Sequence, residues 1–451
     1  MGLFDATSLV VGAVIGSGIF LTSGIIADYL PSSGMMLIAW FAAGLVTILG
    51  ALCYGELGSM YPRAGGAYVY LKEAFGPVPA FLFGWTFFII IGAAGVAAIA
   101  MGFAEYFESL VPIFTDGEKI LGVNGPQVIA VAAIVGLSFF NVSGLRTSYR
   151  GQTFITVIRL AVLGVMIAAG IIFGLKTGGK NLQPVFPSGG NWPSLTAWGA
   201  AIITALWSFD GWYSVACTAE EIRNPKRNVP RALVMGTALV MIIYLAVNLV
   251  YGLTLPIEGL RGTIRVGEAA FITMAGPSAA PVFSAVVALT IFGCLSANIF
   301  YCARVPYAMA RDGLFFPTLG RLHPRKGIPV RALWAQTAVA GVLILTGTFQ
   351  RLVDYVLFGL VAFFAATGAA LIVLRRKEPG RDRPYRLRLY PFIPLAFIAV
   401  NSAIFIALAL EHPGQAVVAL LLICSGGPAF FIWNARRKVN PPGNEEIPGG
   451  Q

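Results

Sequence analysis

Two short stretches carry the residue types needed to hold a small charged molecule inside an apolar environment. The first is Val11-Gly12-Ala13-Val14-Ile15-Gly16-Ser17-Gly18-Ile19-Phe20, and the second is Ala205-Leu206-Trp207-Ser208-Phe209-Asp210-Gly211-Trp212. Each glycine weakens a helix by about 1 kcal/mol relative to alanine, and here they stand almost side by side. An aspartate at mid-membrane costs about 2.5–3.5 kcal/mol unless it is sheltered. A helix broken at such points frees backbone N–H and C=O groups that only a cavity or a ligand can satisfy. The amides of Ser17, Gly18 and Ile19 would head the outer half of the first helix and suit an anion. The carbonyls of Val14, Ile15, Trp207 and Asp210 would end half-helices and suit a cation; a zwitterion meets both needs. Gly12 and Gly16, four residues apart, also read as a plain helix-packing pair. Gly16-Ser17-Gly18 is what that reading leaves unexplained.

A third candidate is Arg159 in Gln152-Thr153-Phe154-Ile155-Thr156-Val157-Ile158-Arg159-Leu160-Ala161. A cation inside a span must pair, face water, or snorkel to the nearer interface, and both the site and the snorkelling readings stand. Asn298, in Cys294-Leu295-Ser296-Ala297-Asn298, either lines the pocket or makes a helix-packing hydrogen bond. Glu56, Glu220 and Glu221 lie near basic residues at span ends, as gate ion pairs or as interfacial anchors. His323 and His412 both fall in loops, so no intramembrane histidine relay is expected.

These residues sit in a chain of 451, 57% hydrophobic and 11% charged. Typical globular domains carry about 25% charged residues, and single cores stop growing at roughly 250–300 residues. The apolar excess must face lipid. Twelve apolar runs of spanning length occur, near 6–29, 35–58, 78–107, 125–142, 152–175, 195–219, 231–255, 280–308, 331–347, 353–374, 390–410 and 414–434. With both termini on one side, the loops on that side hold 23 Lys and Arg against six opposite. The expectation is a multi-pass protein of the plasma (inner) membrane with both termini cytoplasmic. The net charge of +11 is therefore a topology signal rather than a nucleic-acid surface.

The five cysteines lie in apolar runs, in no metal or disulfide spacing, and no cofactor motif is evident. The first apolar run is too long for a cleavable leader, and its abrupt start suggests a short basic tail ahead of it. Residues 61–70 are too polar to span and are expected along the cytoplasmic interface. The tail within 435–451 reads as disordered from Asn440 onward.

The breaks fall in the first and sixth spans. Five spans per repeat would put each break in the first helix of its repeat, the pattern of inverted-repeat transporters with discontinuous helices at the binding site. The expected organisation is residues 1–175 as helices 1–5, 195–374 as helices 6–10, and 390–434 as helices 11–12.

At these residues the chain resembles the amino acid–polyamine–organocation superfamily, and within it bacterial relatives of the L-type amino acid transporters. The resemblance covers nearly the whole chain. It rests on Val11–Phe20, on Tyr54-Gly55-Glu56-Leu57-Gly58 with Pro62-Arg63-Ala64-Gly65-Gly66-Ala67-Tyr68, and on Asp210-Gly211-Trp212 with the run from Glu220 to Arg231. It implies an all-α LeuT-type fold, a substrate carboxylate on the amides of the first break, and an ammonium on carbonyls of both breaks. It also implies an aromatic residue over the substrate at Trp207, where phenylalanine is common. The larger indole would either shrink the pocket or strengthen contact with an ammonium through its π-face, and the expectation is a gate that favours small side chains. At Arg159 many members have lysine, filling the place sodium occupies in sodium-coupled relatives. The implied partners of Arg159 are the Gly12 carbonyl and polar groups such as Ser296. Family light chains bridge to a heavy subunit through a cysteine between spans three and four. The loop from Phe107 to Val123 has none, so no disulfide-linked heavy subunit is expected.

The resulting expectation is sodium-independent exchange of small neutral L-amino acids. The alternative is proton-coupled symport of amino acids, amines or polyamines. Arginine, which keeps its proton at any accessible pH, disfavours proton coupling through position 159. No clustered catalytic residues in spans point to an enzyme, and no charged rings or filter loops point to a channel.

Overall fold

The computed structural model describes residues 1–112, 119–120, 123–187, 192–346 and 349–439. In chain order the helices are α1 (Leu3–Val14), α2 (Gly18–Tyr29), α3 (Ser33–Met60), α4 (Ala67–Phe75), α5 (Pro77–Thr86) and α6 (Gly92–Leu110). They continue with α7 (Gly125–Asn141), α8 (Leu145–Thr177), α9 (Leu195–Ser208), α10 (Ser214–Cys217), α11 (Pro225–Thr254), α12 (Ile257–Leu260) and α13 (Val266–Ala275). The last are α14 (Ala280–Cys302), α15 (Arg304–Arg311), α16 (Val330–Thr346), α17 (Phe349–Lys377), α18 (Phe392–Glu411) and α19 (Pro413–Val439). The described strands form one two-residue antiparallel ladder, Lys119–Ile120 against Val123–Asn124.

Among the described residues, eight helical segments are long and apolar enough to cross a membrane, and the bent pair α1 and α2 makes a ninth. The fourth, sixth and ninth apolar runs correspond to shorter apolar helices, α7, α9 and α16. Residues 440–451, most of the expected tail, lie outside the described residues.

The core sits where α1 meets α8, α11 and α14, and where α2 lies along α9. α5 and α6 join through a π turn at Phe87–Ile91, whose wider winding frees a carbonyl. Gln336 Nε2 on α16 donates to that group, the Phe88 carbonyl, at 3.3 Å. The segment 61–70 is glycine-turned and well packed. Gly65 and Gly66 turn at φ +109° and +54°, the Gly65 amide donates to the Cys217 carbonyl, and Tyr68 and Tyr70 are fully buried. It packs against α10, because its glycines let the chain approach α10 backbone to backbone.

Candidate functional site

α1 stops at Val14, Ile15 turns to extended backbone (φ −71°, ψ 94°), and α2 starts at Gly18 with Ser17 at its N-cap. The two halves bend by 45°. The second interruption follows α9, where the amides of Phe209 and Asp210 fold back onto the carbonyls of Leu206 and Trp207 at 3.1 Å each. Gly211 then takes φ +94°, and helix resumes at Ser214. Trp207, buried at 6% exposure, stands on the last turn of α9.

The two interruptions touch. A Cβ on Gly18 would lie 2.5 Å from Ser208 Oγ and 2.8 Å from Ser208 Cα, and one on Gly211 would lie 2.9 Å from the Ala13 carbonyl oxygen. Only glycine permits either approach. The Thr22 and Ser208 hydroxyls close the contact at 2.9 Å. Gly12 and Gly16 face Thr156 and Cys294 respectively, so both also serve close packing.

The carbonyl and amide sides of the first break are treated differently. Arg159, 2% exposed, donates from Nη1 to the Gly12 and Ile15 carbonyls at 2.8 and 2.7 Å. The Ala13 carbonyl accepts from Asn298 Nδ2 and Cys294 Sγ, both at 3.1 Å. The Val14 carbonyl accepts from the Tyr244 hydroxyl at 3.0 Å, and that hydroxyl also lies 2.9 Å from the Ser208 carbonyl. Side chains of α8, α11 and α14 thus cap four successive carbonyls, Gly12 to Ile15. In contrast, the buried amides of Gly16 and Ser17 have no acceptor among the described residues. Those of Gly18 and Ile19 head α2, where helix geometry supplies none. Open amides in front and a guanidinium behind make this break attractive to an anion.

Tyr244 has one hydroxyl proton for two carbonyls, one in each interruption. At any moment one of them can accept from another donor, such as an ammonium. Of the expected cation pole, Val14 and Ile15 therefore already carry protein donors but keep a second lone pair each. Trp207 accepts within its own turn, and Asp210 Oδ1 is buried without a partner.

Ser296 is held apart from Arg159. The Ser296 hydroxyl accepts from Gln152 Nε2 and from Asn141 Nδ2 rather than meeting Arg159. α8 brings Gln152 nearer to Ser296, while Arg159 points its Nη2 at Gly293, where any side chain would collide with it. Asn298 is fixed by Ala13, by the Cys294 carbonyl and by the Tyr301 hydroxyl. Its reading as a helix-packing hydrogen bond is the one these bonds describe.

The sequence reading missed Tyr244, which joins both interruptions, and Tyr251, whose hydroxyl donates to the Ile19 carbonyl at 3.2 Å. With Asn248, whose Oδ1 accepts from Ser23, they form a stripe at spacings of four and three on α11. Polar tips repeating on one face of a span were the available signal.

At the basic end, fully buried Glu56 accepts from Arg375 at 2.5 and 2.8 Å and from the Leu387 amide at 2.7 Å, with Arg383 at 3.4 Å. Arg304 pairs with Glu221 at 2.8 Å, and Arg311 with Glu220 at 3.1 Å. Burial pushes the Glu221 carboxyl up against the opposing pull of Arg304. Among the described residues, no group of three or more His, Cys, Asp or Glu side chains is placed to hold a metal.

A profile of the amino acid permease family matches residues 1–425. The chain belongs to this family. The permease is 32% identical to the serine/threonine exchanger SteT of Bacillus subtilis (strain 168) over 446 residues, covering 97% of both chains. It is also 32% identical to the b(0,+)-type amino acid transporter 1 of Mus musculus over 436 residues, 96% of this chain and 87% of the relative. The Asc-type amino acid transporter 1 of Mus musculus is 29% identical over 447 residues, 97% of this chain and 82% of the relative. The permease is a multi-pass membrane transporter of the amino acid–polyamine–organocation superfamily, not an enzyme.

Proposed function

We propose that this permease exchanges small neutral L-amino acids by alternating access, independently of sodium. The observation that carries the proposal is the asymmetry of the first break, with capped carbonyls at Gly12–Ile15 and open amides at Gly16–Ile19. The substrate carboxylate binds the amides of Ser17, Gly18 and Ile19. Its ammonium binds whichever of the Val14 and Ser208 carbonyls Tyr244 leaves free, with Trp207 and Asp210 contributing from the second interruption. Trp207 covers the site as a gate and limits side-chain size. Arg159 supplies the permanent positive charge that a coupling ion would otherwise bring, and it cannot release a proton. The names of the relatives, a serine/threonine exchanger among them, support exchange and small substrates.

This reading places twelve spans in a LeuT-type arrangement, with repeats at 1–175 and 195–374, a further pair at 390–434, and both termini cytoplasmic in a plasma (inner) membrane. It needs no disulfide-linked heavy subunit and no cofactor. A second reading, proton-coupled symport of amino acids, amines or polyamines, draws on the unpartnered Asp210 oxygen. Proteoliposomes separate the two. Uptake of labelled serine or alanine should require internal amino acid and be unchanged when choline replaces sodium. Steep sodium dependence would overturn the proposal, and accumulation driven by a pH gradient into empty vesicles would favour the second reading.

A further inference from the structure

The segment from Arg375 to Pro391, the last residues of α17 and the connection to α18, carries seven cations and two carboxylates. Its carboxylates are already engaged. Glu378 pairs with Arg381 at 2.7 Å and accepts from Tyr61, and Asp382 meets Lys226 at 3.4 Å. Three of its arginines are likewise engaged. Arg375 and Arg383 serve Glu56, and Arg383 also donates to the Glu378 and Arg381 carbonyls, while Arg381 reaches the Met60 carbonyl. The Leu387 amide donates to Glu56, and Tyr385 lies against Gly55. The segment is thus bound to the end of α3 by buried ionic and backbone contacts, which hold its other face in a set orientation.

That other face presents Arg376, Arg386 and Arg388, all exposed and with no acceptor among the described residues. Arg386 and Arg388 flank buried Leu387, so the extended chain turns both outward. Beside them Leu389 is 71% exposed and Phe392 73% exposed, and Leu389 adopts φ +51°, a region bulky residues rarely enter. A soluble polyanion would satisfy the arginines and leave these side chains in water. A membrane surface satisfies both, with phosphates at the level of the arginines and acyl chains below them.

We propose that this face binds the phosphate headgroups of anionic phospholipids, with Arg376, Arg386 and Arg388 as the ligands and Leu389 and Phe392 seated in the adjoining acyl region. A cation near an anionic bilayer surface strengthens binding about fivefold, so three together are worth about a hundredfold. The whole protein in a neutral detergent, titrated with a fluorescent short-chain phosphatidylglycerol, should bind it and release it to unlabelled phosphatidylglycerol. Arg376→Gln, Arg386→Gln and Arg388→Gln combined should weaken binding about a hundredfold, and the three lysine replacements should restore most of it. These positions lie outside the transport site, so an unchanged melting temperature checks that the variants fold. The proposal is overturned if phosphatidylcholine competes equally, if the triple glutamine variant binds like the parent, or if inorganic phosphate displaces the probe as well as the lipid does.

Discussion

Gly18→Ala adds one methyl group at the contact between the two interruptions. Its Cβ would lie 2.5 Å from Ser208 Oγ and 2.8 Å from both Ser208 Cβ and Ser208 Cα, where ordinary contact begins at 3.4 Å. A serine rotamer change can remove the first clash, but the Cα is backbone. The start of α2 and the end of α9 must therefore separate by about 0.6 Å, the difference between 3.4 and 2.8 Å. Alanine at a helix start regains up to about 1 kcal/mol of propensity, against about 1–3 kcal/mol for overpacking a close contact. The clash wins at most of that range, and its effect falls on the geometry that binds substrate. Counterflow of labelled serine in proteoliposomes should drop at least tenfold for Gly18→Ala, and Ser208→Ala should not rescue it because the Cα clash persists. Gly12→Ala is the control, since its clash is with a side-chain oxygen, Thr156 Oγ1 at 2.6 Å, and Thr156→Ala should restore it. Parent-like exchange by Gly18→Ala, or full rescue by Ser208→Ala, would refute the reasoning.

Tyr244→Phe removes the one hydroxyl shared by the Val14 and Ser208 carbonyls; it leaves one more buried carbonyl without a donor, and a loss of about 1–2 kcal/mol of stability should appear as a lower melting temperature in detergent. Arg159→Met leaves the Gly12 and Ile15 carbonyls without their donor and removes the charge behind the amides. Inhibition by an amino acid should weaken more than tenfold, while inhibition by the matching amine without a carboxylate should change little; equal weakening of both would contradict the anion-site assignment. Glu56→Gln leaves two largely buried arginines without a counter-charge and should cost about 3–5 kcal/mol of stability, read as a lower melting temperature in detergent. Asp382→Asn, at an exposed pair, should stay within about 1 kcal/mol. Outside the spans, a hydrogen bond from Arg381 holds the Glu378 carboxyl below its ordinary value of 4.5. Its contribution is present above that unfolded value and lost as pH falls through the lower folded one, so limited proteolysis near Glu378 should quicken only in acid, and Glu378→Gln should abolish that dependence.

The sequence by itself determined that this is a membrane protein, where its helices break, and that a permanent charge lies within a span. Each is a local property: a run of apolar residues, a glycine doublet around Ser17, an arginine among aliphatics. Which amides stand open at the start of α2 is local as well, because it depends on neighbours within one turn.

Only the tertiary structure decided which groups answer the freed carbonyls. The donors come from positions 144 to 285 residues away, on α8, α11 and α14. A helix that is apolar all round gives no periodic signal to say which face meets which neighbour. That is why Ser296 stood as a candidate partner of Arg159 although Gln152 and Asn141 hold it; the polar stripe of Tyr244, Asn248 and Tyr251 was there to be read, but not what it touches. It is also why the glycines at 18 and 211 could be read as flexible points but not as the two places where the broken helices touch. Glycine content is written in the chain, whereas the backbone approach it permits exists only once both helices are in place.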